Sequence, residues 1–404
     1  MSEKAPQPFS KAVQDRRDGR LHAANEEGGN IPVDPPSYDA PEVPRKPEPA
    51  RSIATGSAAD ERRIGVELAR SLRDGSYHPV VLFGTQNSGK TSLLLSMFAA
   101  LEMDPQLKTG LVLCDPVLTS GDNVARQLHD NAKRLFDAGT LDFIAGVPTP
   151  RTVLDLPFFV PVEVRPEGKP IQRFAFLESS GEWYRPKKQL GQTHSDQEQV
   201  APELQAAIEG FIANFAGPIT FLYLAPYTQR RLDDPETTYY EGHEMESAQV
   251  ALKAVLEAYN KIRQSYRLSD RHLLLVTKWD TRIAPDADRA ETIQEDRETL
   301  LEFLHSRYPL AMTSFKKLGV DQQQQHVNAY VSGIVTRDGR VPLENEDEEV
   351  RAIVKGYPTK LWKYLYRNAL EASDSHPIPL FPDPPKPSAL MRGFQKVLDF
   401  VSGR

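Results

Sequence analysis

Three short polar stretches, GTQNSGKT (84–91), ESSGE (178–182) and TKWD (277–280), hold the residues of this chain whose types and spacing could do chemistry. Gly84 to Thr91 fits G-x-x-x-x-G-K-[ST], the pattern of a phosphate-binding loop. Gly84 and Gly89 would admit backbone conformations closed to other residues and let the main chain approach phosphate. Successive N–H groups, those of Asn87, Ser88, Gly89 and Ser92 among them, would form an anion cradle with the positive end of the following helix. Lys90 would reach the β- and γ-phosphates, and the Thr91 hydroxyl would ligate Mg²⁺. A Gly-rich turn without a ligand would also satisfy these eight residues alone. The strand before them and the helix after them favour nucleotide binding.

The elements that must position these loops can be read from periodicity. Val80 to Phe83 is a short apolar run, the mark of a buried parallel strand, and Ser92 to Met97 has apolar residues at helical spacing. Ala58 to Arg73 predicts an amphipathic helix with Ile64, Leu68 and Leu72 on one face, so the ordered domain is expected to begin near 57. Further strands are expected at Gly110 to Cys114, Ile219 to Leu224, His272 to Val276 and Val327 to Val331. Helices are expected at Ser120 to Ala138, Glu198 to Phe215, Glu244 to Tyr266, 287–306, 309–318 and Thr359 to Ala372. Leu343 to Val350, with its acidic run, reads as a solvated loop or helix start. Residues 157–178 hold two β-rich runs joined by Arg165-Pro166-Glu167-Gly168-Lys169-Pro170, a hairpin signal. Strands alternating with helices predict a doubly wound, mostly parallel α/β sheet with one antiparallel hairpin and ligands at the strand C-terminal ends.

Composition bounds the rest. The chain has 404 residues, 39% of them hydrophobic, and 33 prolines. Nine of the prolines fall in residues 1–56, which read as a disordered tail, and six lie between 377 and 387. Three parts follow: the tail 1–56, a nucleotide-binding domain over 57–372, and a Pro-rich strap with a short helix over 373–404. Pro35-Pro36-Ser37-Tyr38 matches the PPxY ligand of WW domains, a pattern that Pro-rich tails produce easily. The net charge of −7 argues against nucleic acid as the main partner. A lone cysteine, Cys114, excludes a disulfide framework within one chain. No apolar run approaches 18 residues, so no membrane span is expected. With no signal-peptide core, a cytoplasmic protein is the expectation.

Taken in order, the three loops resemble the phosphate loop, D-x-x-G and [NT]-K-x-D of the small-GTPase (Ras-like, TRAFAC) family, across about residues 77–335. The resemblance implies a guanine-nucleotide switch that binds GTP and GDP with Mg²⁺. Thr277, Lys278 and Asp280 would bind the base, Lys278 along its face and Asp280 at N1–H and the exocyclic amine. Ser332 and Gly333 would support the base through backbone N–H groups. Thr91, Glu178 and a first-switch threonine, Thr152 with Thr149 as rival, would serve the metal, and Gly181 would stand at the nucleotide. Glu178 replaces the usual aspartate, and Glu182 stands where Ras-like enzymes carry a water-orienting glutamine. Lys90, Asn87 and Glu182 are the catalytic candidates, with slow hydrolysis implied by the carboxylate of Glu182. In cation-dependent relatives, an asparagine at the Asn87 position helps to hold K⁺; the alternative is an asparagine that hydrogen-bonds within its own loop. Arg185, Lys187 and Lys188 could supply a cation in cis or a solvated basic face. The layout is most similar to bacterial double-GTPase-type proteins of multi-gene conflict or defence systems, which implies protein effectors or operon-encoded partners and leaves an oligomer open. Three alternatives stand beside this reading: an ATP-using enzyme with the same loop, a nucleotide-binding scaffold without turnover, and an interaction protein with a vestigial loop.

Overall fold

A computed structural model describes residues 58–85, 87–103, 108–115, 123–147, 158–178, 206–228, 241–266, 269–282, 288–318, 325–336 and 339–374. The tail, Thr149, Thr152, Gly181, Glu182, Arg185, Lys187, Lys188 and the 373–404 strap beyond Asp374 lie outside the described residues.

A seven-stranded sheet forms the centre. In chain order its strands are His78–Phe83 (β1), Thr109–Leu113 (β2), Phe158–Pro166 (β3), Gln172–Glu178 (β4), Thr220–Pro226 (β5), Arg271–Thr277 (β6) and Gln325–Ala329 (β7). Their spatial order is β2-β3-β4-β1-β5-β6-β7. Strand β3 pairs antiparallel with both neighbours, and every other pairing is parallel. The expected hairpin is therefore β3–β4, and β3 is the one strand of this sheet that runs against the rest. Strand β1 is buried at every residue and lies between β4 and β5. Such a reversal of winding opens a crevice at the strand C-terminal ends.

Helices cover both faces. Lys90–Met103 (α2) is apolar all round, with Leu93, Leu94, Leu95, Met97, Phe98 and Ala99 all buried. A helix of that kind belongs inside a domain. It is packed between the sheet and Glu348–Asp374 (α10), whose Trp362 lies edge-on to Phe174 and Phe176 of β4 and donates its indole N–H to Met97 O at 2.7 Å. The opposite face carries Ala58–Asp74 (α1), Ala206–Asn214 (α5), Glu241–Ile262 (α6) and Pro309–Lys317 (α9). There, Phe83, Phe221, Tyr223 and His272 stack across adjacent strands against Tyr259 and Phe315. Helices α1 and α5 cross at two glycines. A Cβ built on Gly65 would lie 2.1 Å from Ala207 O, and one on Gly210 would lie 2.5 Å from Arg62 O. Backbone meets backbone at this crossing, and no side chain can be inserted.

Several expected boundaries move. The helix expected at Ser120 to Ala138 is Asn123–Arg134 (α3), which passes through a π-turn at Leu135–Gly139 into Thr140–Ile144 (α4). The helix expected over 287–306 is two, Arg289–Ile293 (α7) and Arg297–Arg307 (α8). Asp296 causes the break, because its carboxylate accepts from the N–H groups of Glu298 and Thr299 and so starts a new helix. Strand β7 lies two residues earlier than expected, and the two-residue strands Val335–Thr336 (β8) and Gly339–Arg340 (β9) were not foreseen. Helix α10 starts eleven residues before the expected Thr359 and runs straight through Pro358. Proline costs a helix one internal hydrogen bond. Burial of Val350, Val354, Tyr357, Leu361, Trp362 and Leu365 along one stripe outweighs that loss.

Candidate functional site

The phosphate-loop pattern joins β1 to α2 at the reversal point, where the sequence reading requires it. Gly89 has φ +87° and Asn87 has φ +61°, both in the left-handed region. Gly89 needs no strain to be there, and asparagine tolerates it better than most side chains. Gly84 is different. Its backbone is ordinary, but a Cβ there would stand 2.2 Å from Ser88 Oγ. The requirement for glycine at 84 is therefore space for a buried serine, which corrects the expectation of a special backbone conformation.

Lys90 is 6% exposed, and its ammonium donates to Gly84 O at 2.7 Å and Thr85 O at 3.1 Å. Burial pulls its pKa down to about 8, against an opposing pull from nearby Glu178. Thr91 follows on α2 and donates its hydroxyl to Glu178 Oε1 at 2.7 Å. Glu178 is fully buried at the end of β4. The extra methylene of glutamate still lets the carboxylate meet the threonine. Among the described residues no cluster of three or more His, Cys, Asp or Glu could hold a metal. A hydroxyl and a carboxylate at one point are nevertheless a hard-oxygen pair, the donor set that suits Mg²⁺ shared with phosphate oxygens and water.

The second wall is the exit of β6. Thr277 Oγ1 donates to Ser88 O at 2.6 Å, a buried bond that joins the TKWD turn to the phosphate loop. Lys278 turns the chain with φ +58°, and Trp279–Arg282 forms one 3₁₀ turn. Asp280 is 5% exposed within that turn. Thr281 secures it by donating both its N–H and its hydroxyl to Lys278 O, at 3.0 and 2.6 Å. Trp279 is fully buried, lies edge-on to Tyr227, and donates its indole N–H to Gln294 O.

The third wall follows β7. The Trp279 N–H donates to Tyr330 O and the Tyr330 N–H to Val276 O, so the two strand ends interlock. Tyr330 also lies 2.7 Å from Ser96 Oγ on α2. Ser96 donates to Leu93 O, which leaves the tyrosine hydroxyl as the donor to Ser96. Ser332 and Gly333 come next and share a cavity of about 30 Å³ with Ser96, Ala99, Phe143 and Pro358. Both of these walls are thus fastened to the phosphate loop or to its helix. Thr277–Ser88, Tyr330–Ser96, Trp362–Met97 and the Arg282–Trp279 stack were not read from sequence. Only the Trp-x-x-Arg spacing of the last had a local signal.

No family model matches the chain, and no curated protein sequence matches it. Solved structures do match. A dimerisation-deficient Toc33 from Arabidopsis thaliana is 13% identical with a TM-score of 0.29, over 75% of this chain and 93% of its own. The GTPase-like domain of S. cerevisiae Ski7, bound to GTP, is 12% identical with a TM-score of 0.32, over 73% of this chain and 51% of its own. This chain thus spans about half the length of the Ski7 structure. At such scores, what the site does has to be argued from its own residues.

Proposed function

We propose that the chain is a guanine-nucleotide switch that binds GTP and GDP with Mg²⁺ and hydrolyses GTP slowly. The observation that carries this reading is the 2.6 Å bond from Thr277 Oγ1 to Ser88 O. It fixes the Lys278–Asp280 turn and the phosphate loop as one unit, so a ligand can meet both with its base and its phosphates. In this reading Thr91 and Glu178 hold Mg²⁺, together with Thr152 or Thr149, and the cation supplies charge neutralisation at the phosphates. The N–H groups from Asn87 to Ser92 cradle the phosphates, Lys90 pairs with the terminal ones, and Ser332 and Gly333 back the base. Gly181 meets the nucleotide, and Glu182 takes the place of a water-orienting residue, which keeps unaided turnover low. We read the protein as cytoplasmic and as acting through protein partners, in line with its likeness in layout to defence-system GTPases. The direct test is competition between GTP and ATP for the purified protein in Mg²⁺. Equal affinities discard the guanine reading.

We also propose a role for K⁺ at Asn87, which takes a left-handed backbone in the loop, as the resemblance to cation-dependent relatives implies. A monovalent cation held there would offset charge gathering on the transferring phosphoryl group. Turnover should then rise several-fold when K⁺ replaces Na⁺ at constant ionic strength, and Asn87→Ala should remove the difference. Equal rates in the two salts discard the role.

The pKa of Lys90 sets a pH dependence. Because burial lowers it to about 8, the fold penalises the charged lysine fully below that pH and progressively less above it. Phosphates need the charged form. Below pH 8 it is already present, whereas above pH 8 binding must first take up a proton. Affinity for GTP should therefore be level from pH 7 to 7.5 and fall above 8, approaching about tenfold per pH unit. The measurement is a GTP titration from pH 7 to 9 beside Lys90→Ala, whose weaker binding should not decline. A decline shared by both proteins assigns the proton to another group.

A further inference from the structure

We propose that Arg282 is a positioning residue that sets guanine discrimination by holding the turn that carries Asp280. The inference rests on the guanine reading above and concerns a residue outside the TKWD motif.

Trp279 and Arg282 are the first and last residues of the 3₁₀ turn. Side chains three apart eclipse one another in a 3₁₀ helix, so these two are stacked by the geometry of the turn itself. The guanidinium carbon lies 4.1 Å from the centre of the indole ring, flat-stacking range for a cation–π contact. Nη1 of Arg282 is shielded from solvent and has no hydrogen-bond partner among the described residues. The indole face is therefore one contact that holds the guanidinium, and the Asp296 carboxylate lies near enough to feel its charge. The indole in turn is immobile, fully buried, edge-on to Tyr227 at 5.7 Å and tied to Gln294 O.

The turn is thus clipped at both ends to one plate, and Asp280 is carried between the clips. Near the turn stands Tyr357 of α10, 7% exposed, which donates to Ile293 O at 2.5 Å. Burial raises its phenol's pKa most, and the smaller influences come from Glu295, Arg282 and Asp280. Arg282 and Asp280 therefore share one neighbourhood. A carboxylate that must meet two donors of one base edge tolerates little play, because a shift of a few tenths of an ångström breaks one of the two bonds. Among the described residues the bonds of Thr281 go to Lys278 O and that of the Trp279 N–H to Tyr330 O, so they hold the start of the turn and not its end.

The probes are GTP and inosine triphosphate, which keeps N1–H and lacks the exocyclic amine. Their affinity ratio reads how well Asp280 is placed at the second donor. A purely structural role for Arg282 would lower the melting temperature or weaken both nucleotides together, and would leave the ratio unchanged. The wild-type chain is expected to prefer GTP by at least tenfold, and Arg282→Ala to reduce that preference at least fivefold while remaining folded. Arg282→Lys keeps the charge but loses the planar face. It should reduce the preference at least threefold, and it decides the matter should the alanine variant fail to fold. A wild-type preference that Arg282→Lys and any folded Arg282→Ala both keep overturns the positioning role. Equal affinities in the wild type overturn instead the contact of Asp280 with the exocyclic amine on which it rests, while the guanine reading itself stands or falls with the GTP–ATP competition.

Discussion

Replacing Asp280 with asparagine is expected to lower GTP affinity by about a hundredfold and to raise affinity for xanthosine triphosphate. Each charge-assisted hydrogen bond to the carboxylate is worth roughly 1.5–3 kcal/mol, and guanine offers two donors to it. Losing the charge and inverting one partner costs about 3 kcal/mol, or two decades of affinity. Xanthine carries a carbonyl where guanine has its amine, and an asparagine amide can donate to it. Asp280 is 5% exposed, so water does little to repair the mismatch. Titration of both triphosphates against both proteins decides the point. A variant that binds GTP as the wild type does would remove Asp280 from base recognition.

Lys90→Ala should weaken triphosphate binding at least a hundredfold without lowering the melting temperature of the nucleotide-free protein. The first half follows from the loss of the loop's only side-chain ammonium beside the phosphate cradle. The second follows from the lysine's surroundings. Its pKa falls from 10.5 to about 8, so keeping it charged in the fold costs on the order of 3 kcal/mol at neutral pH. The donations to Gly84 O and Thr85 O at 2.7 and 3.1 Å oppose that cost. Alanine relieves the cost and gives up those two bonds, each worth roughly 1.5–3 kcal/mol to a charged donor. The opposing contributions are of the same order. This is the pattern of a group kept for function at no gain in stability. A folded Lys90→Ala protein with unchanged GTP affinity would rule out the phosphate-loop assignment. A melting temperature lowered by ten degrees would instead make Lys90 a structural residue.

What could be read in the sequence was whatever is written locally. Apolar runs such as Val80 to Phe83 and His272 to Val276 read as buried strands beside helices of period 3.6, and both lie within the strands observed. The three candidate loops were legible because each sits where one element ends. Boundaries failed where a local signal was outvoted or overlooked. The helix expected from Thr359 begins at Glu348, because the buried stripe from Val350 to Leu365 carries it through Pro358. Asp296 was a cap signal inside an apparently continuous helix. The fastenings of the site were illegible for another reason. Thr277 and Ser88 lie 189 residues apart, Tyr330 and Ser96 234 apart, and Trp362 and Met97 265 apart. Nothing local marks a threonine or a tyrosine as one half of such a pair.

The α1–α5 crossing carries a lesson about inheritance. Pairs of touching residues usually leave a trace in related sequences, because a change in one side chain can be answered by a change in the other. Gly65 and Gly210 cannot bargain in that way. Each glycine faces the other helix's main chain, Ala207 O in one case and Arg62 O in the other, and a carbonyl cannot be shortened by mutation. A descendant that acquires a side chain at either position must move a whole helix, and α5 is the element that follows the segment holding Glu182. Among relatives, these two positions should therefore be independently fixed as glycine, with no correlated variation between them. This backbone-to-backbone contact between two helices would be silent to any method that reads contacts from paired change.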